Sequence, residues 1–360
     1  MHTLHLLFQP TREVAQSLHS VALALHLAIY VVLAAESSFC FRFRSMKTPA
    51  ASLRWFTAFL LLAACLHITQ AADWPPPEGK KLRVIIDTDA ANEIDDQYAL
   101  ALALGRQDRL QIEGLVAAHF GGKGGAQGVQ KSFDEIHRVL EQAGMAGKFP
   151  VRRGIDPLKD TPQNSDGIDF ITERAKAATP DDPLWLILLG PVTDGVAALE
   201  KAPEIADRLI IFWHSRSAWP KECKNFNAKN DPKASQRIFE MKSRLILFDT
   251  GTHLRMDMEE TKRRIAPLGA LGSYLYEIRE RSPEFRNPNK GVFDLGDIAA
   301  LVDPSTVTFE STPKPQVTEQ MLYDFSKPGP EIIRIKDVKR DASFALLEDA
   351  LRRVAAVQEK

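Results

Sequence analysis

From Lys81 onward the chain alternates short, continuous apolar runs with stretches of helical spacing, and that alternation leaves few folds open. The runs lie at 82–87 (LRVIID), 111–118 (QIEGLVAA), 148–153, 184–189 (LWLILL), 208–213 (RLIIFW) and 244–248 (RLILF). They are rich in Val, Ile and Leu and lack the polar alternation of a strand with one wet face, so they predict strands buried on both sides. Helical spacing falls between them, at 94–105, 127–143, 166–178, 193–201 and 231–241. Together these predict an α/β fold: a single Rossmann-like domain with a mostly parallel central sheet covered by helices on both faces. No repeat, low-complexity tract or linker divides the stretch, so residues 73–360 read as one domain, led into by the stiff Trp74-Pro75-Pro76-Pro77. In such sheets ligands collect at the carboxyl ends of the strands.

The first part of the chain reads differently. Residues 46–72 combine Lys47 and Arg54, an apolar run from Trp55 to about Ile68 and then small residues, the tripartite pattern of a secretory signal cleaved after Ala71 or Ala72. Export to the periplasm or the extracellular space is the expectation. A rival reading takes Leu62-Ala63-Ala64-Cys65 as a lipobox, with the chain tethered to a membrane through Cys65. Residues 1–45 hold a second apolar stretch, Val21 to Ala35, too short for the about 20 residues of a spanning helix. They read as an over-extended start before Met46.

Composition then narrows the partners. The 360 residues carry 46 Lys+Arg against 47 Asp+Glu, so no basic excess is present to meet a phosphate backbone and nucleic-acid binding is not expected. With only 3 Cys and a length that supports a large core, a disulfide scaffold is excluded. Without residues 1–72 the chain is mildly acidic, and Cys223 is its single thiol.

Chemistry concentrates after the first strand, in Asp87-Thr88-Asp89-Ala90-Ala91-Asn92-Glu93-Ile94-Asp95-Asp96. Four aspartates lie within ten positions, at a strand's carboxyl end and a helix's start. Each gains about 0.3–1 kcal/mol from the helix dipole, but crowded carboxylates in a shielded cleft repel one another more strongly. A hard cation with oxygen ligands, Ca²⁺ or Mg²⁺, resolves the conflict. Helix caps and solvated charges are the alternative, and they account for one or two of these residues more easily than for all.

An apolar strand running into Asp-x-Asp opens the haloacid-dehalogenase-like phosphatases, in which the first Asp is the nucleophile. The paired Asp95-Asp96 and the Ala/Leu helix after it resemble instead the inosine-uridine-preferring nucleoside hydrolases, which open D-x-D-P-G-x-D-D-A. Later segments follow in that family's order. VRRGIDPL (151–158) is similar to its G-x-x-x-P-L turn, LILLGPVTDGVAAL (186–199) to its L-G-P-L-T-N-x-A, Asn225-Phe226-Asn227 with Asp231-Pro232 to E-F-N…D-P, and Val292-Phe293-Asp294 before Asp303-Pro304 to H-D-P…D-P. The resemblance spans about residues 82–350.

It implies a Ca²⁺-dependent hydrolase of ribonucleosides or related N-ribosides. Asp89 would ligate the metal and take the proton of the attacking water, Asp96 would be a bidentate ligand, and Thr193 through its carbonyl and Asp294 would complete the protein shell. Asp297 is an alternative to Asp294. Asp87 and Asp95 would buttress the metal, with Asp95, Asn92, Asn225, Asn227 and Phe293 at the substrate. The same resemblance leaves room for a homo-oligomer, and for a member that binds metal and sugar with little hydrolysis.

The departures from the family pattern are specific. The loop between Asp89 and Asp95 is two residues longer, Asn225 replaces a Glu, and Phe293 stands where many members carry the His that protonates the leaving purine. His119 and His214, at the ends of the second and fifth strands, are the candidate replacements; each could equally be a hydrogen-bonded interior histidine. His137 and His253 read as structural or surface residues. Trp213, Trp219 and Phe120 could stack on an aromatic leaving group or simply belong to the core. The Gly121–Gly125 stretch reads as a flexible loop, with Lys123 available to an anionic substrate group.

Overall fold

Strand β1 (Leu82–Thr88) is flanked on both sides by parallel strands, β2 (Leu110–Ala117) and β4 (Leu184–Leu188). Its continuous apolar sequence follows from that position: Val84 and Ile86 face one core, and Ile85 faces the other. The same pleat sorts β5 (Leu209–His214), where Ile210 and Phe212 enter the first core and Leu209, Ile211 and Trp213 the second. With β3 (Val151–Arg153), β6 (Arg244–Phe248), β7 (Val307–Pro313) and β10 (Glu331–Val338), the sheet order is β3-β2-β1-β4-β5-β6-β10-β7. All neighbouring strands are parallel except β7, which runs antiparallel to β10. A separate ribbon pairs β8 (Gln316–Val317) with β9 (Tyr323–Asp324). The α/β fold with a mostly parallel central sheet is therefore as the strand pattern predicts.

This is a computed structural model, and it describes residues 74–358 apart from 282, 284, 288 and 289. The signal-peptide, over-extended-start and Cys65 readings lie outside the described residues. Among the described residues no helix is long and apolar enough to cross a membrane.

Helices α1 (Asp95–Gly105), α2 (Gly128–Gln142), α3 (Asp166–Lys176), α4 (Thr193–Lys201) and α6 (Pro232–Glu240) follow the predicted spacing to within a few residues, while the short α5 (Phe226–Asn230) before α6 was not predicted. Strand β3 is shorter than expected, beginning only after Pro150, whose carbonyl accepts the Leu115 amide. Beyond β6 the chain builds elements that the apolar pattern did not resolve: α7 (Met258–Arg264), α8 (Gly269–Arg281), α9 (Leu295–Val302) and α10 (Arg340–Gln358), besides β7 to β10.

Two of the helices are buried on nearly every side. In α1 the residues from Asp95 through Leu104 are buried, and so is every residue of α9. An apolar helix of this kind is a core element rather than a surface one. α10 lies against α1 so closely that a β-carbon at Gly105 would sit 2.4 Å from the Ala350 carbonyl oxygen. The two enclosed helices direct their amino termini, with Asp95 and Asp96 on one and Asp294 and Asp297 on the other, toward the carboxyl end of the sheet.

The sheet's far half is tied by charge. Arg334 on β10 donates from Nε to Asp249 Oδ2 at 2.6 Å and from Nη1 to Glu310 Oε1 at 2.7 Å. The Asp249 side chain is fully buried, and burial raises its carboxyl above the usual range even with the guanidinium beside it. Arg334→Met strands that carboxylate, so the expected loss of stability is about 3–5 kcal/mol. Equilibrium urea unfolding measures it; a change under about 1 kcal/mol would show that the ion pair does not support the β6–β10 junction.

Candidate metal centre

The strand order reverses beside β1: β2 and β3 are added on one side, β4 and its successors on the other. Such a switch point opens a crevice at the strands' carboxyl ends. β1 delivers Asp87, Thr88 and Asp89 there, and the connection after β4 delivers Gly190 and Thr193. Gly190 is required by proximity, since a β-carbon on it would lie 2.8 Å from Asp89 Oδ1.

The longer loop between Asp89 and Asp95 is held from within. Asn92 donates its amide N–H to the Asp89 carbonyl at 2.8 Å and its side-chain nitrogen to Asp89 Oδ2 at 3.2 Å. Gln97 Nε2 donates to the Ala90 carbonyl at 2.7 Å. Thr88 Oγ1 donates to Asp96 Oδ1, coupling the strand's last residue to the helix's first turn.

Carboxylates converge on this crevice. Single oxygens of Asp95, Asp96 and Asp294 lie within 4.8 Å of one another. A second group, His214, Asp294 and Asp297, meets the same limit and shares Asp294 with the first. Asp87 is fully buried, and among the described residues neither of its oxygens has a hydrogen-bond partner; the same holds for Oδ2 of Asp194 and Oδ1 of Asp297.

Burial is the first cause of every pKa shift in the cluster, and mutual repulsion adds to it. Asp87 is pushed well above the usual carboxylate range by burial and then by Asp194, Asp96 by burial and then Asp89, and Asp294 by burial and then Asp95. Asp89 is raised to about 7, by burial and by Asp95. Asp95 also moves up, through burial and Glu93. Asp297 and Asp194 reach about 6, again through burial. Unpartnered, desolvated oxygens that repel one another are the donor set of a hard cation, which supplies the missing positive charge.

The histidines have different neighbours. His119 Nδ1 accepts the Gly121 amide at 3.1 Å, so its proton sits on Nε2, 2.8 Å from Thr193 Oγ1. The Thr193 hydroxyl donates in turn to Asp231 Oδ2 at 2.8 Å. With both nitrogens engaged and its pKa lowered by burial, His119 is an interior link between β2 and α4 rather than a free acid. His214 directs Nδ1 to Asp297 Oδ2 at 2.6 Å, with Asp294 Oδ1 at 3.4 Å, and its ring stacks on Phe248. It thus stands against the carboxylates themselves.

The other expected contacts divide in the same way. Asn225 caps α5: its Oδ1 accepts the Ala228 amide at 2.9 Å, and its Nδ2 donates to the Ser215 and Cys223 carbonyls. Both ends of that amide are held by the chain, which differs from its expected place at the sugar. Asn227 donates to the Leu189 carbonyl at 2.7 Å and the His214 carbonyl at 3.2 Å, bridging the ends of β4 and β5. Phe293 precedes Asp294, with the Arg216 guanidinium 4.0 Å from its ring centroid. Of the aromatic candidates, Trp213 is buried and donates to the Gly190 carbonyl, while Trp219 packs on Tyr323 and Phe325.

Asp231 and Asp194 are organising residues whose partners the sequence did not disclose. Asp231 accepts from Thr193, from the Leu158 amide at 2.8 Å and from the Ala234 amide at 2.9 Å, so it joins three segments. Asp194 accepts the Ile155 amide at 2.9 Å. The signal for each was its place in a quoted motif; the partner depends on tertiary packing.

The profile of the inosine-uridine preferring nucleoside hydrolase family matches residues 84–339. The chain belongs to that family, which places it among hydrolases of N-glycosidic bonds and withdraws the phosphatase alternative. Solved structures agree on the fold. A purine-preferring ribonucleoside hydrolase from Gardnerella vaginalis superposes with a TM-score of 0.61 at 20% identity, over 76% of this chain and 99% of that one. The plant nucleoside hydrolase PpNRh1 gives 0.58 at 20% identity with the same coverage. The inosine-uridine preferring nucleoside hydrolase from Bacillus anthracis gives 0.57 at 14%, again over 76% and 99%. No curated protein matches the sequence.

The raised carboxyls set a pH dependence. A group whose pKa is higher in the folded than in the unfolded chain contributes stability below its unfolded value, about 4 for Asp. That contribution is lost as pH rises through the folded value, here about 6 for Asp194 and Asp297 and about 7 for Asp89. The metal-free protein is therefore expected to have a higher Tm near pH 5 than near pH 8, and added Ca²⁺ to raise Tm more near pH 8. Thermal unfolding with chelator and with Ca²⁺ checks this; equal metal-induced shifts at both pH values would contradict it.

Proposed function

We propose that the chain is a Ca²⁺-dependent N-ribosidase that uses Asp89 as general base on ribonucleosides. The observation that carries this reading is the convergence of Asp95, Asp96 and Asp294 beside Asp89 in the crevice at the switch point. Asp96, Asp294 and Asp89 would hold the cation, with Asp87 and Thr193 beside them. When bound, a divalent cation lowers the pKa of water and offers further coordination positions to sugar hydroxyls. The oxygen-only character of the Asp95, Asp96 and Asp294 group supports Ca²⁺ over a metal that favours nitrogen or sulfur.

The protein's own groups would then divide the work. Asp89, held by Asn92 and backed by Gly190, takes the proton of the attacking water. Asp95, on the first turn of α1, faces the sugar hydroxyls. The C1′–N bond breaks through an oxocarbenium-like transition state, whose positive charge the surrounding carboxylates favour. Asn227 fixes the ends of β4 and β5 and so the position of the crevice wall.

Ribose release from a nucleoside panel tests the reading. Release in Ca²⁺ is expected to stop with chelator and return with added metal. Asp89→Asn should lower kcat by about 10²–10⁴-fold, the range of a general base, while a nucleoside still binds. Bound Ca²⁺ without release from any nucleoside would overturn it.

A further inference from the structure

The geometry assigns Arg216, stacked on Phe293, to receive the departing base as an anion, which makes ribosides of dioxo heterocycles, whose carbonyl oxygens carry that charge, the favoured substrates. The inference rests on the N-ribosidase reading and adds the leaving-group side of the site. Arg216 lies two residues beyond the end of β5, and Phe293 is the residue before Asp294, so both stand at the edge of the carboxylate cluster. The guanidinium carbon of Arg216 is 4.0 Å from the Phe293 ring centroid, and that of Arg255, from the loop after β6, is 5.4 Å away.

The arrangement is fixed rather than incidental. Arg216 has a φ of 37°, a left-handed conformation uncommon outside glycine. The amides of Ser215 and Arg216 both donate to the Phe248 carbonyl, at 3.0 and 3.1 Å. Phe293 is folded over Gly291, where a β-carbon would lie 1.8 Å from its Cε1 atom. Among the described residues neither Arg216 nor Arg255 takes part in an ion pair.

Their chemistry offers a route that needs no proton donor at the base. Phe293 has no proton to give and His119 has both nitrogens engaged, while Nδ1 of His214 is taken by Asp297. A guanidinium stays charged at neutral pH, so it donates hydrogen bonds to an anion without releasing the proton. Water oxygen bonds to C1′ as the C1′–N bond breaks, and its electron pair goes to the heterocycle. Asp89 holds the proton from water, and the base leaves as an anion paired with Arg216. That proton reaches the base through solvent, so the products are ribose and the neutral heterocycle. In pyrimidine-2,4-diones and 2,6-dioxopurines the leaving charge spreads onto two carbonyl oxygens that a guanidinium can meet; adenine has no carbonyl oxygen, and cytosine has one.

The test compares xanthosine and uridine with adenosine and cytidine in the Ca²⁺-loaded protein. Wild type should favour the dioxo bases. Arg216→Gln should lower kcat for xanthosine about 10²-fold or more, the effect of removing one oxyanion donor, with adenosine changed only a few-fold. Arg216→Lys should recover part of the loss, and inhibition by ribose should stay constant because the sugar contacts are untouched. Xanthine binding in the presence of ribose, weakened in Arg216→Gln, reads the same contact without turnover. An equal fall for all bases, no change for any, or unchanged xanthine binding overturns the assignment while leaving N-ribosidase activity standing. Absence of release from every nucleoside by wild type overturns the underlying reading instead.

Discussion

The repulsion among buried carboxylates is the constraint from which the rest of the site follows. At 4.8 Å, one ionised pair costs about 3–4 kcal/mol at an effective dielectric of about 20, whereas a helix amino terminus returns about 0.3–1 kcal/mol per carboxylate. The dipoles of α1 and α9 therefore cannot balance Asp95, Asp96 and Asp294 when all are ionised. Either protons or a cation must neutralise the cluster. A fold that encloses both helices on nearly every side, with Leu, Ala and Ile along their length, supplies a rigid frame that keeps these groups together despite that cost.

The frame explains why the carboxylates are unevenly partnered. Thr88 bonds Asp96 and Asn92 bonds Asp89, so these two are oriented before any ligand arrives. Asp87 has neither neighbour and faces Asp194, itself anchored by the Ile155 amide. His214 links Asp297 to Asp294 from the β5 side. Thr193, His119 and Asp231 form a relay of hydrogen bonds behind the crevice and join α4 to β2 and α6. An array of this kind positions charge in advance, and preorganised charge is what an oxocarbenium-like transition state rewards.

What the sequence disclosed, and what it withheld, follows from the range of the interactions. Strands β1, β4, β5 and β6 are buried on both faces, so their apolar runs are continuous and readable; the Asp95-Asp96 pair is local and could be placed at a helix start at once. The final third was harder. β7 alternates exposed and half-buried residues, and α9 is a short apolar run that periodicity alone does not separate from a strand. Specific side-chain partners were not legible, because they depend on the path of the loops or join residues far apart in the chain. Asn225 could be matched to a ribose-binding position by motif, yet its bonds to Ser215, Cys223 and Ala228 arise from the path of the loop after β5. His119 is similar: Thr193, its partner, lies 74 residues away.

Phe293, at the position where the family resemblance leads one to expect a proton-donating His, is best understood through the charge around it. A histidine beside Asp294 would stand close to Asp95 and Asp96 as well, and such neighbours favour its protonated form. A phenyl ring cannot carry that charge, but it offers a face on which a guanidinium can lie, and Arg216 occupies it. The positive charge here sits on a guanidinium, which stays charged at neutral pH, rather than on an ionisable ring. A fixed cation neither needs acid conditions nor loses its charge in base, and it discriminates by the charge of what departs rather than by whether a nitrogen accepts a proton. Carboxylates that would stabilise a sugar cation and an arginine that would meet a base anion are the two charges that the separation in such a cleavage calls for.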